Sequence, residues 1–551
     1  MAREQAVRLH PVDNVLVALT DLPAGAQILW AGRSLTTVSA IPAKQKLALE
    51  TIPLGGVVKM YGVKVGKAVH EIAAGEVLTT RNVRHDAEPF HEKTEEFMWA
   101  PPDVSRWKGR TFAGYRREDG QAGTRNYWLV VPLVFCENRN IRVLKQAFEQ
   151  ELGFAQPPVY QQQVAELARL YRAGEIERIR EYAAGASKAK QARGARVFEN
   201  VDGIKFLIHE GGCGGTREDS NNLCGLIAGY IHHPNVAGAT VLSLGCQHAQ
   251  VAVLQEELKK RNANFSKPLY VFEQQSSGEE FAMLSQAIRQ TFVGLMEIDK
   301  CRRVPVELQE LSVGLKCGGS DGFSGISANP AIGHVSDLVV ALGGKTILSE
   351  FPELCGVEQE LVNRGVTREV SDRFMQLMKS YSARALAVGS GFDMNPSPGN
   401  IRDGLLTDAM KSAGAAKKGG TSPVTDVLDY PEYLRRPGLN LQCTPGNDVE
   451  CVTGQVGAGA NMVLFTTGLG TPTGNPIAPV VKISTNSQLA ARMQDIIDID
   501  TGEIISGEKS VEQMGEAILE RVIEIASGAV KTKAELLGQD DFIPWKRGVS
   551  L

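Results

Sequence analysis

Along the chain, apolar residues fall into short runs broken by glycine and polar clusters. Three runs are strand-length: Ile204–His209 (IKFLIH), Ala239–Gly245 (ATVLSLG) and Ala460–Gly468 (ANMVLFTTG). Each ends in a Gly-rich polar loop, as a buried strand does where it opens on a crevice at the carboxyl edge of a parallel sheet. Strand-like and helix-like runs alternate from about residue 200 onward, which predicts α/β architecture. Val511–Gly528 predicts the last clear helix, with Gly528 as its C-cap.

The N-terminal pattern is different. Over residues 1–88, short Val/Ile/Leu runs are joined by recurrent turns such as Leu22-Pro-Ala-Gly25, Ile52-Pro-Leu-Gly55 and Ile72-Ala-Ala-Gly75. Such punctuation predicts a small all-β domain closing on itself. Residues 89–108, Pro-bearing and polar, read as a linker. Residues 109–305 read as an α/β domain with a charged helical insertion near 141–200. That insertion is Ala/Glu/Arg-rich with apolar spacings of three and four, an exposed insertion or an oligomer contact. Residues 306–551 read as a C-terminal α/β catalytic domain.

Bulk properties narrow the partners. A chain of 551 residues is too long for one ordinary core, and 43% hydrophobic with 22% charged residues is normal for a soluble globular protein. A net charge of −4 without a basic run argues against nucleic acid. No apolar stretch reaches about 18 residues, so no membrane span is expected. The N-terminus has no apolar signal region, so a cytoplasmic location is expected. Nine cysteines with no Cys-x-x-Cys argue against a disulfide framework and a structural zinc site.

The densest chemistry is Lys316–Gly325, KCGGSDGFSG: four glycines, a thiol, a carboxylate and two hydroxyls in ten residues. Gly318, Gly319 and Ser320 let backbone and hydroxyl approach an oxyanion, while Cys317 and Asp321 offer metal-binding or acid–base groups. His209 and Cys213 stand four apart in HEGGCGGTREDSNN, and Cys246 follows another strand in LGCQHAQ. His209, Cys213, Cys246 and Cys317 are therefore candidate metal donors. Three loop thiols could hold a cluster or equally be near-site thiols. Cys136, Cys224 and Cys301 lack a Gly-rich loop context and read as structural. Lys411 and Lys418 suit a substrate carboxylate, or base chemistry if buried, although a surface position is commoner for lysine. Asn400 in the rigid NPSPGN loop, Asn447 in TPGND and Thr471 in GTPTGNP can present amides and hydroxyls to a polyol. No P-loop, G-x-S-x-G or dinucleotide fingerprint is present. The residues point to small hydroxy-acid chemistry.

These motifs, in this order, resemble the altronate/galactarate dehydratase family. The matching stretches include HPVDNVLVAL, GTRNYWLVVPLVFC, SLGCQHAQ, GLKCGGSDGFSGISANP, NPSPGN, PGLNLQCTPGNDVECVTG and NMVLFTTGLGTPTGNPIAPVVKISTNS. The resemblance implies a SAF-type β-clip as the first domain. It implies an iron(II)-dependent hydro-lyase, manganese(II) being a substitute, and D-altronate dehydrated to 2-dehydro-3-deoxy-D-gluconate. In that chemistry a base removes the C2 proton and the C3 hydroxyl leaves as water. It also implies His209, Cys213, Cys246 and Cys317 at or beside the metal. Read from the residues, Lys411, Lys418, Asp321 and His209 are the catalytic candidates. A homo-oligomer that binds a small sugar acid, but neither nucleic acid nor membrane, is expected. Gln45 stands in AKQK where the family's SAF domain reads His before Lys, which makes position 45 a candidate catalytic position occupied by a residue that cannot act as a base. Galactarate or another acid sugar is the alternative substrate, and sulfolactate-type lyase chemistry is a more distant option. A non-catalytic sugar-acid-binding protein is the alternative of another class.

Overall fold

The computed structural model describes residues 5–30, 33–157, 159–183 and 195–550. Its first unit is all-β, built from short antiparallel sheets. Strand β1 (Val15–Ala18) lies between Ala6–Val7 and β2 (Lys46–Ala48), and β3 (Val57–Met60) pairs with β4 (Val63–Ala68). Leu16, Leu22, Ile28, Ile41 and Leu47 close one small core. The recurrent turns place Gly25, Gly55 and Gly75 at φ +75°, +77° and +81°, where a side chain would be strained. A fourth turn of the same outline, Ile41-Pro-Ala-Lys44, puts a lysine there, at φ +76°.

The segment read as a linker is strapped onto the third unit. Trp107 is buried and its Nε1 donates to Glu520, while Trp99 Nε1 donates to Thr421 Oγ1. Apolar surface and indole N–H groups hold this chain down, so its polar composition does not make it free.

The second unit carries a four-stranded parallel sheet. Strand β5 (Tyr127–Pro132) leads through α1 (Asn138–Glu151) and α2 (Val159–Arg172) to β6 (Gly203–Phe206). Then follow α3 (Arg217–His232), β7 (Val236–Ser243) and β8 (Leu269–Glu273). The order is β6-β5-β7-β8, all parallel. The expected helical insertion corresponds to α1, α2 and a short helix at Ile176–Arg180; its residues 184–194 lie outside the described residues. Helix α2 buries Leu170 alone.

The third unit is a seven-stranded parallel sheet. It runs β9 (Ser312–Cys317), α4 (Ala328–Ala341), β10 (Lys345–Leu348), α5 (Arg368–Ala387), β11 (Val424–Leu428) and β12 (Gly438–Gln442). It continues through α6 (Asp448–Gly457), β13 (Met462–Thr467), β14 (Val480–Ser484), β15 (Ile499–Asp500) and α7 (Val511–Ala526). The order is β11-β12-β10-β9-β13-β14-β15. The chain fills one side of β9 with β10, β11 and β12, β12 inserting between β10 and the edge strand β11, then returns to start the other side with β13. The carboxyl ends of β9 and β13 are thus a topological switch point, where a crevice opens between diverging loops. Helices α3 and α6 join the second and third units; a Cβ on Gly229 would stand 2.1 Å from Gly457 O, so only glycine permits this approach.

Candidate active site

Strand β9 is buried along its whole length and ends on Cys317. From there the chain lines a cavity of about 730 Å³ with Cys317, Gly318, Gly319 and Ser320. The loop after β10 adds Glu353, and the loop after β12 adds Asn447 and Asp448. Asn395, Asn400, Lys411 and Tyr381 complete much of the wall.

Three lysines and two glutamates meet at and behind this wall. Lys418 Nζ donates to Cys317 Sγ at 2.8 Å and to Glu350 Oε2 at 2.7 Å. Lys316 Nζ also donates to Glu350, and pairs with Asp448 Oδ1 at 2.9 Å. Lys411 Nζ pairs with Glu353 Oε1 at 2.9 Å and donates to Asn395 Oδ1 at 2.6 Å. Cys317 Sγ lies 3.5 Å from Glu353 Oε2. Glu350 adopts φ +68°, a left-handed conformation that costs a non-glycine residue about 1–2 kcal/mol. Its two lysine partners hold it there.

Burial pushes the Cys317 thiol up to about 11 against the pull of Lys418. Burial, with the neighbouring Glu353 charge, also raises Glu350. Glu353 moves the other way: burial opposes its charge, but Lys411, Lys316 and Lys418 outweigh it and lower the pKa. Lys411 stays an ammonium: burial opposes its charge, but the bonded Glu353 carboxylate outweighs it and raises its pKa.

The Gly-rich motif serves two surfaces. Gly318 and Gly319 face the cavity, where a Cβ on Gly318 would stand 2.5 Å from the Asp448 carboxylate. Gly322 and Gly325 instead admit the first unit: added Cβ atoms would stand 2.4 Å from Lys44 O and 2.2 Å from Tyr61 Oη. Half of the glycines that suggested ligand binding are therefore spent on domain packing.

The remaining sequence candidates are distributed as follows. Asn400 lines the cavity and fixes it, Nδ2 donating to Ser320 O at 2.7 Å, and Asn447 caps α6 through Oδ1. Thr471 stands beside the wall, its Oγ1 3.1 Å from where a Gly319 Cβ would be. Lys418 is buried behind Cys317. Asp321 is buried off the cavity, with Oδ2 held by Lys44 at 3.0 Å and Thr485 Oγ1 at 3.1 Å. Gln45 does not line the cavity; its Nε2 donates to Arg402 O at 2.7 Å on the exposed side of the domain contact.

The candidate metal donors do not form one group. His209, Cys213 and Cys246 follow strands of the second unit, whereas Cys317 ends a strand of the third. Both His209 ring nitrogens are taken by main chain: Nε2 bonds Pro132 O at 2.8 Å, and Nδ1 accepts from Gly211 N–H at 3.1 Å. Burial lowers its pKa to about 4, so it is a neutral ring with no free lone pair. That corrects its assignment as ligand or base, because it braces a loop instead. Among the described residues, the group of three or more His, Cys, Asp or Glu whose ligand atoms lie within 4.8 Å of one another is Cys317, Glu350 and Glu353. Sequence reading missed both glutamates and Asp448. Glu350 and Glu353 sit in SEFPELC, immediately after the apolar run of β10, and that position was their only signal.

Three family models match in series. Residues 4–86 match the altronate/galactarate dehydratase SAF domain. Residues 114–299 match the D-galactarate dehydratase/altronate hydrolase second domain, and 308–550 the D-galactarate/altronate dehydratase C-terminal domain. The chain is 33% identical to an altronate dehydratase of Escherichia coli (strain K12) over 526 residues, 95% of each chain. It is 34% identical to an altronate dehydratase of Bacillus subtilis (strain 168) over 527 residues, again 95% of each.

The chain belongs to the altronate/galactarate dehydratase family.

A more distant member, the galactarate dehydratase (L-threo-forming) of Escherichia coli (strain K12), is 29% identical over 540 residues, 97% of this chain and 94% of that one. Membership establishes the first unit as a SAF domain, followed by α/β units. No helix among the described residues is long and apolar enough to cross a membrane. The Cys317, Glu350 and Glu353 donors make a possible metal-binding triad in this member of the family. One sulfur with two carboxylate oxygens suits a first-row transition metal better than calcium or magnesium.

Proposed function

We propose that this chain is a hydro-lyase that dehydrates a sugar acid, D-altronate, to 2-dehydro-3-deoxy-D-gluconate in the cavity at the carboxyl end of β9. The observation that carries the reading is the full-length likeness to two altronate dehydratases, combined with a polar cavity walled by the family motifs. Lys411 is the one cationic side chain among the residues lining that cavity, which suits one substrate carboxylate. Galactarate, which carries two, is the second reading, favoured by the 29% identical relative.

Lys411 binds the substrate carboxylate and stabilises the negative charge that grows on it as the C2 proton leaves. Asp448 takes that proton. It is the cavity-lining carboxylate outside the possible metal triad, it is partly exposed, and Lys316 orients it at 2.9 Å. Ser320, Asn400 and Asn447 present hydroxyl and amide groups to the polyol. Iron(II) or manganese(II) would be held by Cys317, Glu350 and Glu353, and when bound supplies Lewis-acid stabilisation of substrate oxygen.

The test is to incubate iron-loaded protein with a panel of aldonates and aldarates and to assay 2-keto-3-deoxy products. Turnover of D-altronate above the others is expected. Product from galactarate alone would select the second reading, and binding without any product would support a sugar-acid-binding protein.

A further inference from the structure

We propose that Cys136, Cys213 and Cys246 together hold an iron–sulfur cluster in which one iron lacks a protein ligand. This goes beyond the dehydratase reading and uses none of the residues given roles in it. Cys136 is exposed, although the lack of flanking glycine had marked it as structural. Cys213 and Cys246 are exposed as well, and none of the three is in a disulfide. Cysteines that serve only packing are usually buried, as Cys224, Cys443 and Cys451 are here.

The fold brings these thiols to one place. Strands β5, β6 and β7 are parallel neighbours, with β5 in the middle. Cys136, Cys213 and Cys246 are the cysteines that follow their carboxyl ends. Main-chain hydrogen bonds knit the three loops beside each thiol. Phe135 N–H donates to Gly211 O at 3.1 Å, and His248 and Ala249 N–H both donate to Gly212 O, at 2.9 and 3.0 Å. Gly212, at φ +100°, lies so close to the first loop that a Cβ would stand 2.1 Å from Leu133 O. Asn138 Nδ2 donates to His209 O at 2.9 Å, and the His209 ring bridges Pro132 O and Gly211 N–H. The buried histidine thus positions the loop of Cys213 against the loop of Cys136.

The arrangement suits a cluster better than a single ion. Three thiolates on one tetrahedral ion stand about 3.8 Å apart, given metal–sulfur bonds of about 2.3 Å. These three thiols are not among the described residues whose ligand atoms lie within 4.8 Å of one another. A cubane places each thiolate on a different iron and accepts the wider spacing. Gln275 Nε2 donates to Cys246 Sγ at 3.1 Å, an N–H···S bond of the kind that tunes such centres. Cys213 also lines a cavity of about 400 Å³ walled in part by Leu223, Phe542 and Trp545. The open iron would take an oxygen ligand, a hydroxyl or carboxylate. Trp545 lies tilted against Tyr381, ring centroids 5.4 Å apart, and Tyr381 lines the cavity assigned to the sugar acid.

The experiment is anaerobic reconstitution of the full chain with ferrous iron and sulfide. Expected are a broad visible charge-transfer absorption, labile sulfide in step with bound iron, and an electron paramagnetic signal on reduction. Cys136→Ser, Cys213→Ser and Cys246→Ser should each lose most of the absorption and sulfide while keeping the native circular dichroism. Cys301→Ser should keep both. If a variant misfolds, alkylation of the exposed thiols in the folded apoprotein before reconstitution should block the cluster in its place. Iron uptake without labile sulfide, or a cluster that survives all three substitutions or the alkylation, would overturn the proposal. These readouts do not involve sugar acids, so they stand or fall separately from the product assay.

Discussion

Lys44 Nζ of the SAF domain lies 3.0 Å from Asp321 Oδ2 of the third unit, and equally 3.0 Å from Asp403 Oδ1. The lysine occupies the left-handed position that three sibling turns give to glycine. Its backbone strain is set against an ion pair with a carboxylate that is fully buried. The same contact is bolted by Lys46 Nζ, which donates to Gly404 O at 2.5 Å, and by Thr407 Oγ1, which donates to Val65 O at 2.6 Å. The SAF domain is thereby fixed on the back of the Gly-rich loop that lines the cavity.

Lys44→Ala should therefore lower stability by about 1.5–3 kcal/mol, the worth of a hydrogen bond to a charged group. Lys44→Gly removes the same ammonium but relieves the left-handed strain, so it should cost about 1 kcal/mol less. Denaturant unfolding of the two variants checks this. Equal losses would mean that the turn stores no strain at residue 44.

Asp448→Asn should reduce kcat on D-altronate by about 10²–10⁴-fold, the usual contribution of a general base, with a smaller change in KM. Melting temperature and metal content, measured alongside, should stay near the parent values. A kcat within a few-fold of the parent would remove Asp448 from the chemistry.

Lys46 gives a pH signature. Burial lowers its pKa from the usual 10.5 to about 7. The unfolded chain then binds more protons than the folded one between these values, so this residue makes stability rise as pH increases through that window. Below about 7 both states are protonated and the slope from this group vanishes. Lys46→Met should flatten the rise between pH 7 and 10, as measured by urea midpoints. An unchanged slope would show that the buried amine keeps its proton.

Cys317 should resist thiol reagents in the native state. It is buried, with its thiol pushed up to about 11. Maleimide at neutral pH should label Cys136, Cys213 and Cys246 in the apoprotein and reach Cys317 only on unfolding, as read by peptide mass. Cys317→Ser should weaken iron(II) binding in an equilibrium titration and lose activity more than stability. Iron affinity unchanged by that substitution would remove Cys317 from the metal site.

Local sequence determined much of this protein. Turns such as Leu22-Pro-Ala-Gly25 need left-handed backbone at a fixed place, so they announced the small β domain wherever the chain went next. The apolar run Ala460–Gly468 ends in glycine, so the loop that follows it was legible as a cavity wall, and Cys317, Ser320, Asn400 and Lys411 stood out by their Gly-, Pro- and Lys-bearing motifs. What local pattern does not carry is the distance between loops. His209 and Cys213 are four residues apart, yet the histidine ring turns back to Pro132 O and leaves the thiol alone. Glu350 and Glu353 look like ordinary acidic residues until three lysines from separate segments converge on them. Cys136 reads as a lone thiol until β6 and β7 flank its strand. Gln45, conspicuous as a motif departure, is carried to a domain contact, and its neighbours Lys44 and Lys46 make the buried bonds there. Sheet order and domain docking decided these outcomes, because burial and ion pairing arise between segments tens to hundreds of residues apart and leave no periodicity in either one.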